Sequence, residues 1–226
     1  MSANIEILRH NELPEGGFAG LREHRLVVEP RVFGAGQSGW AGLGNFVYLA
    51  DARFEPRGDT GLHPHHEIDV ITAMVKGRLS HGGSLEDGQY LQAPDVQIQR
   101  AGGEGFRHNE GNPDDEWNRL IQLWVTPETE GSAASYHHIS PAPGTVTRIY
   151  GGIENESPIT AATQIDIALL DDGGTADWEG EFLAYLCSGS GSANEVELSE
   201  GTLIRGTTGL RFKALAGVYL AVITVA

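Results

Sequence analysis

Apolar and polar residues alternate in short runs along this chain. In the first half the runs cover residues 46–52, 68–75, 96–99 and 120–125; in the second they cover 165–170, 182–187, 195–198, 202–205, 210–214 and 218–225. Alternation with a period of two puts one side of a strand on a core and the other toward water, so each run predicts a β-strand. Turn sequences separate them, among them Pro56-Arg57-Gly58-Asp59, Lys76-Gly77, Glu86-Asp87-Gly88 and Ala93-Pro94-Asp95. Many short strands at this spacing predict an all-β sandwich or barrel. Helical periodicity is nearly absent; one helical turn is expected near 21–24, beside Pro14-Glu15-Gly16-Gly17.

The polar stretch PETEGSAASYHHISPAPGT (127–145) reads as a linker. It divides the chain into an N-terminal unit over 1–127, a linker over 128–144 and a C-terminal unit over 145–226. The two units echo each other. Val75-Lys76-Gly77 followed by Leu91-Gln92-Ala93-Pro94-Asp95 resembles Leu186-Cys187-Ser188-Gly189 followed by Leu198-Ser199-Glu200-Gly201, as an internal duplication would produce.

Composition adds bounds. The chain has 226 residues, 40% hydrophobic, with 31 Gly and 10 Pro, which suits compact β structure with tight turns. There is no run of 18 apolar residues and no basic-then-apolar start, so neither a membrane span nor a signal peptide is expected, and a cytoplasmic protein is the simplest reading. The lone Cys187 excludes an internal disulfide and reads as a small buried hydrophobe. Fifteen basic against 31 acidic residues leave a net charge of −16, which repels phosphate backbones; direct nucleic-acid binding is not expected.

The candidate chemistry lies in the histidines. His63-Pro64-His65 sets two imidazoles at i and i+2, on one side of an extended segment, after the turn-rich Gly58-Asp59-Thr60-Gly61. Some forty residues later His108-Asn109-Glu110 repeats the device. Two such strands can aim four donors at one ion. Three imidazoles and a carboxylate suit Fe, Mn, Ni, Cu, Co or Zn, and four protein ligands leave open positions for chemistry. Asp69 shares the parity of His65 and is expected on the same side, as a second base beside Glu110.

The block from His63 to Pro127 resembles the pirin family of bicupins. The matching pieces are His63-Pro64-His65, the strand pair running through Val75-Lys76-Gly77 to His81, Gly83-Ser84-Leu85, Pro94-Asp95-Val96-Gln97, Ala101-Gly102, His108-x-Glu110 with Asn112-Pro113, and the closing Leu120-Ile121-Gln122-Leu123-Trp124-Val125-x-Pro127. The resemblance implies two stacked jelly-roll-type cupin barrels. It also implies one metal in the N-terminal barrel, usually iron, on His63, His65, His108 and Glu110; the C-terminal barrel has no histidine and would lack a site. Some members of the family cleave quercetin with dioxygen, and mammalian pirin is a nuclear cofactor. The chain departs from the family pattern at His66-Glu67, where Arg-Gly is common, at Asp69, where Glu is common, and at Asn109, where Ser is common. Glu67 and Asp69 would add negative charge beside the metal.

Two functions follow. One is a metal-dependent dioxygenase acting on quercetin or a related enolisable phenol, with Glu110 taking the hydroxyl proton. The other is a non-catalytic sensor whose metal redox state a partner protein reads. An open apolar cavity at the metal would favour the first, a closed barrel the second. Of the remaining residues, His66 is expected to point away from the metal, His81 to be structural or exposed, and His137-His138 to be inert. Trp117, Trp124, Phe46, Tyr48 and Phe106 are expected in the core or at a cavity wall.

Overall fold

The computed structural model describes residues 5–226. It is built almost wholly of antiparallel strands in two compact units. One is Leu13–Ser140; the other joins Pro141–Ala226 with the described part of Met1–Glu12. No helix among the described residues is long and apolar enough to cross a membrane.

Each unit is a large and a small sheet packed over an apolar core. In the first unit the large sheet runs, in spatial order, Ser135–Ile139, Val96–Arg100, Asp69–Lys76, Arg119–Val125, Phe46–Phe54, Leu21–Val28 and Glu15–Phe18. The small sheet runs His63–His65, Phe106–Gly111, Arg78–Gly83 and Gln89–Gln92. Ala52, Phe54, Met74 and Leu120 from the large sheet meet Leu79 and Leu91 from the small one, all nearly free of solvent. At about 25 cal/mol per Å² of apolar surface this burial is the main force holding the sheets together. The alternation in the sequence is the trace of that packing.

The second unit repeats the topology. Its large sheet runs Glu6–Arg9, Thr202–Gly206, Phe182–Ser188, Val218–Val225, Ala161–Leu170 and Thr145–Gly152; its small sheet runs Thr175–Trp178, Leu210–Ala214, Ser190–Ala193 and Val196–Ser199. The echo in the sequence marks equivalent places. Gly77 (φ +75°) turns the chain from Lys76 into Arg78, and Gly189 (φ +87°) turns it from Ser188 into Ser190. Both sit in the left-handed region that glycine enters without penalty.

Three expectations are corrected. The stretch 128–144 is not wholly linker: Ser135–Ile139 pairs with Val96–Arg100 at the edge of the first large sheet. In the second unit that place is filled by Glu6–Arg9, which pairs with Thr202–Gly206 and ties Arg205 to Glu6. The division 1–127, 128–144 and 145–226 therefore shifts, because these two edge strands find their partners far away in sequence. Finally, the helical turn expected near 21–24 is the strand Leu21–Val28. Leu21 and Glu23 turn inward there, and the strand is paired on both sides. Among the described residues the α-helix is the short Pro30–Phe33, with Glu29 as N-cap and proline in its first turn, where the missing N–H costs nothing.

Candidate metal centre

The small sheet of the first unit brings the predicted donors together through its register. Phe106–Gly111 pairs with His63–His65 so that His108 lies opposite His63 and Phe106 opposite His65. On its other side His108 lies opposite Gly83, and Glu110 opposite His81. A side chain at Gly83 would meet the Arg107 carbonyl carbon and the His108 Cα, so the glycine lets the strand carrying the donors approach closely.

The Nε2 atom of His108 is 3.0 Å from that of His63 and 3.1 Å from that of His65. Adjacent ligands on a six-coordinate ion with metal–nitrogen bonds of about 2.1 Å stand about 3.0 Å apart, so the spacing fits one face of a divalent metal. The tautomer of His63 fits too. Its Nδ1 is 2.9 Å from the Gly61 carbonyl, which can only accept, so the proton is on Nδ1 and the Nε2 lone pair faces the cluster. Gln99 stands at Nδ1 of His108, 3.1 Å away through its Nε2, while its buried Oε1 has no partner. A half-turn of that amide would let Oε1 accept the Nδ1 proton and leave the His108 Nε2 free for an ion. Burial, followed by the neighbouring His63, lowers the imidazolium pKa of His65 to about 4; burial, followed by His65, His63 and His81, lowers that of His108 to about 2. Both rings stay neutral, the form that ligates metal.

Glu110 stands two residues along the same strand, buried, and desolvation pushes its carboxyl above the usual carboxylate range. Its Oε1 accepts from the Thr72 hydroxyl at 2.6 Å and from the Gln97 amide. A Glu110 oxygen shares a donor cluster with His108 and His81, all within 4.8 Å of one another, while His63, His65 and His108 form a second such cluster. His108 links the two.

The clusters face a cavity of about 170 Å³ that opens to solvent and is lined by His63, His65, His108, Glu110, Phe18, Phe33, Tyr48 and Trp124, among others. The rings of Tyr48 and Trp124 are 4.8 Å apart, and Trp124 meets His65 edge-on at 5.4 Å. At the wall Glu23 accepts from Tyr48 at 2.8 Å and from Arg25 at 2.8 Å.

Other candidates fall outside this cavity. Asp69 is fully buried, but it is held by Arg100, whose Nη2 donates to Oδ2 at 2.8 Å. It does not line the cavity, and the expectation of a second base there is corrected. The parity that linked it to His65 is broken at Glu67, whose φ of +49° ends the extended run; Glu67 itself accepts from the Gly131 N–H. His66 is exposed and His138 sits 3.4 Å from Asp95. Phe46 is core, Phe106 packs on the rings of His65 and His108, Trp117 is exposed beneath Arg53, and Cys187 is buried. His81 is not exposed. It is buried opposite Glu110, with Nε2 donating to the Leu85 carbonyl and Nδ1 unpartnered. Thr72, Gln97 and Gln99 escaped sequence reasoning, although Gln97 and Gln99 alternate within a predicted strand, the signal of polar groups facing one interior.

The register also explains why the second unit has no such site. Carried across the shared topology from the equivalent turns at Gly77 and Gly189, the places of His63, His108 and Glu110 are taken by Trp178, Leu210 and Phe212. Those three side chains join the apolar core, so the same positions are spent on packing.

A family model described as Pirin matches residues 37–125. That segment of the chain is similar to a pirin domain. Among curated relatives, a quercetin 2,3-dioxygenase of Escherichia coli K12 is 35% identical over 77 residues, which is 34% of this chain and 33% of that one. A Pseudomonas aeruginosa protein provisionally named for the same activity is 29% identical over 167 residues, 68% of this chain and 71% of its own. The match covers 36% of a similarly named relative from Zymomonas mobilis, so in several relatives it spans about a third of the length. The matched segment holds all four predicted donors. Among solved structures, a nickel(II) complex of a bacterial pirin from E. coli aligns with a TM-score of 0.85 at 18% identity, covering 98% of this chain and 99% of that one. That likeness establishes the fold, a bicupin.

One consequence of the buried histidines is measurable. With folded pKa values near 4 for His65 and 2 for His108 against about 6.5 when unfolded, the unfolded chain takes up protons first as pH falls. Stability is therefore expected to drop as pH falls below about 6.5, down toward those folded values. Urea midpoints of metal-stripped protein should be lower at pH 5 than at pH 7, and a flat midpoint would contradict the burial of these rings.

Proposed function

We propose that this pirin-type protein binds one divalent metal, iron first and otherwise Mn, Ni, Cu, Co or Zn, through His63, His65, His108 and Glu110. With it, the protein oxidises a small enolisable phenol of the quercetin type with dioxygen. The observation that carries the reading is the convergence of three imidazole nitrogens, 3.0 and 3.1 Å apart, at the wall of an open aromatic cavity. The open cavity favours catalysis over a sensing role, and the names of the curated relatives support the same chemistry.

A metal held there would supply Lewis-acid polarisation of the phenol oxygen and a meeting place for dioxygen. The chain supplies the rest. Tyr48, Trp124 and Phe33 offer flat faces for a planar ring and keep water from the donors. Glu110, whose proton affinity burial has raised, takes the substrate hydroxyl proton on its carboxylate. Thr72 and Gln97 hold that carboxylate in place.

The test is oxygen uptake with quercetin by protein loaded in turn with Fe, Mn, Ni, Cu and Co. Uptake with at least one metal, removed by chelation and restored by reloading, is the expected result. Folded, metal-loaded protein with no uptake under any metal would remove the substrate assignment.

A further inference from the structure

Behind Glu110 lies a group of buried polar side chains whose arrangement bears on which of its two oxygens is free. Thr72, Gln97 and Gln99 have no solvent exposure. The Thr72 hydroxyl and the Gln97 amide both donate to the same oxygen of Glu110, Oε1. The other donors buttress this pair. Gln122 Nε2 donates to the Thr72 hydroxyl oxygen at 3.1 Å, and the Tyr136 hydroxyl donates to Gln97 Oε1 at 3.1 Å, which fixes the orientation of the Gln97 amide. Buried polar groups are costly unless satisfied, and here the sheet interior uses several to hold one carboxylate oxygen.

We infer that Thr72 and Gln97 are positioning residues that occupy Oε1 of Glu110 and so restrict this carboxylate to one donor atom, Oε2, toward a metal held by the three histidines. A carboxylate oxygen has two lone pairs, and the two donors take both. Unrestrained carboxylates also bind ions through both oxygens. On a six-coordinate ion, three imidazoles and one oxygen leave two open positions side by side, whereas a two-oxygen Glu110 would leave one. The clamp thus keeps room for two small ligands at once, which a reaction joining a phenol oxygen and dioxygen requires. It rests on the metal assignment above and adds to it the cause of the vacancy.

The test uses Co(II) as the probe metal and azide as the probe ligand, read by visible absorption. Wild-type protein is expected to take one Co(II) per chain and to show two azide steps. Thr72→Val, close in shape but without the hydroxyl, frees a lone pair of Oε1; the second azide step should weaken at least about tenfold while Co(II) still binds one per chain. Thr72→Ser restores the donor and should restore both steps. Gln97→Met removes the other donor and repeats the test should Thr72→Val fold poorly. Two unchanged azide steps in both variants, with Co(II) bound, would overturn the clamp and leave the metal site standing. Failure of wild-type protein to bind Co(II) at all would overturn the metal site and the clamp with it.

Discussion

Protein carrying His108→Ala is expected to lose its metal. His108 is the hinge of the cluster: its Nε2 is the atom within 3.0 and 3.1 Å of the other two imidazole nitrogens, and it is the shared member of both donor clusters. Without it His63 and His65 remain as a pair on a short three-residue strand, and Glu110 loses the donor that links it to them. Loss of one ligand from such a set exceeds the roughly 10–100-fold cost of disturbing an outer partner of a ligand, so affinity should fall by more than about 100-fold. Elemental analysis of protein dialysed against dilute metal reads this directly. His66→Ala is the control, since that ring is exposed and bonded to the Gly103 carbonyl, and it should keep a full equivalent. A folded His108→Ala protein with undiminished metal content would end the proposal that these side chains share an ion.

Asp69→Ala is expected to cost stability and spare the site. Asp69 is wholly buried and takes the Nε–Nη2 edge of Arg100, whose Nε lies 3.1 and 3.2 Å from the two carboxylate oxygens and whose Nη2 is at 2.8 Å. Breaking a buried pair costs about 3–5 kcal/mol when the surviving charge stays desolvated. The Arg100 side chain keeps a fifth of its surface exposed and can turn partly to water, so about 3 kcal/mol is the better expectation. For a chain of this size that lowers Tm by roughly 6–12 °C. Because Asp69 does not line the cavity, metal content and oxygen uptake should be unchanged at a temperature where the variant is folded. Thermal melts and uptake assays on one preparation separate the two roles. An unaltered Tm with lost uptake would return Asp69 to the part of a base.

The two variants bear on how the site can be read. His63, His65, His108 and Glu110 are legible in the chain because i and i+2 on a strand share a side whatever the strand pairs with. That rule holds only while the backbone stays extended, and Glu67 ends it two residues before the strand Asp69–Lys76 begins. Asp69 therefore looked like a neighbour of His65 and is instead a partner of Arg100. His81 erred in the opposite direction. Nothing local marks it, yet cross-strand register places it opposite Glu110.

What the sequence determined by itself is what depends on short range: the strand rhythm, the glycine turns at 77 and 189, the repeated unit and the paired histidine devices. What the tertiary structure decided is every question of partnership. Ser135–Ile139 and Glu6–Arg9 became edge strands of large sheets, Thr72 and Gln97 closed on one oxygen of Glu110, and Trp178, Leu210 and Phe212 became core where the other unit carries donors. The physical reason is that periodicity reports which side of a strand faces inward, whereas the identity of the group met there is set by register between strands distant in sequence.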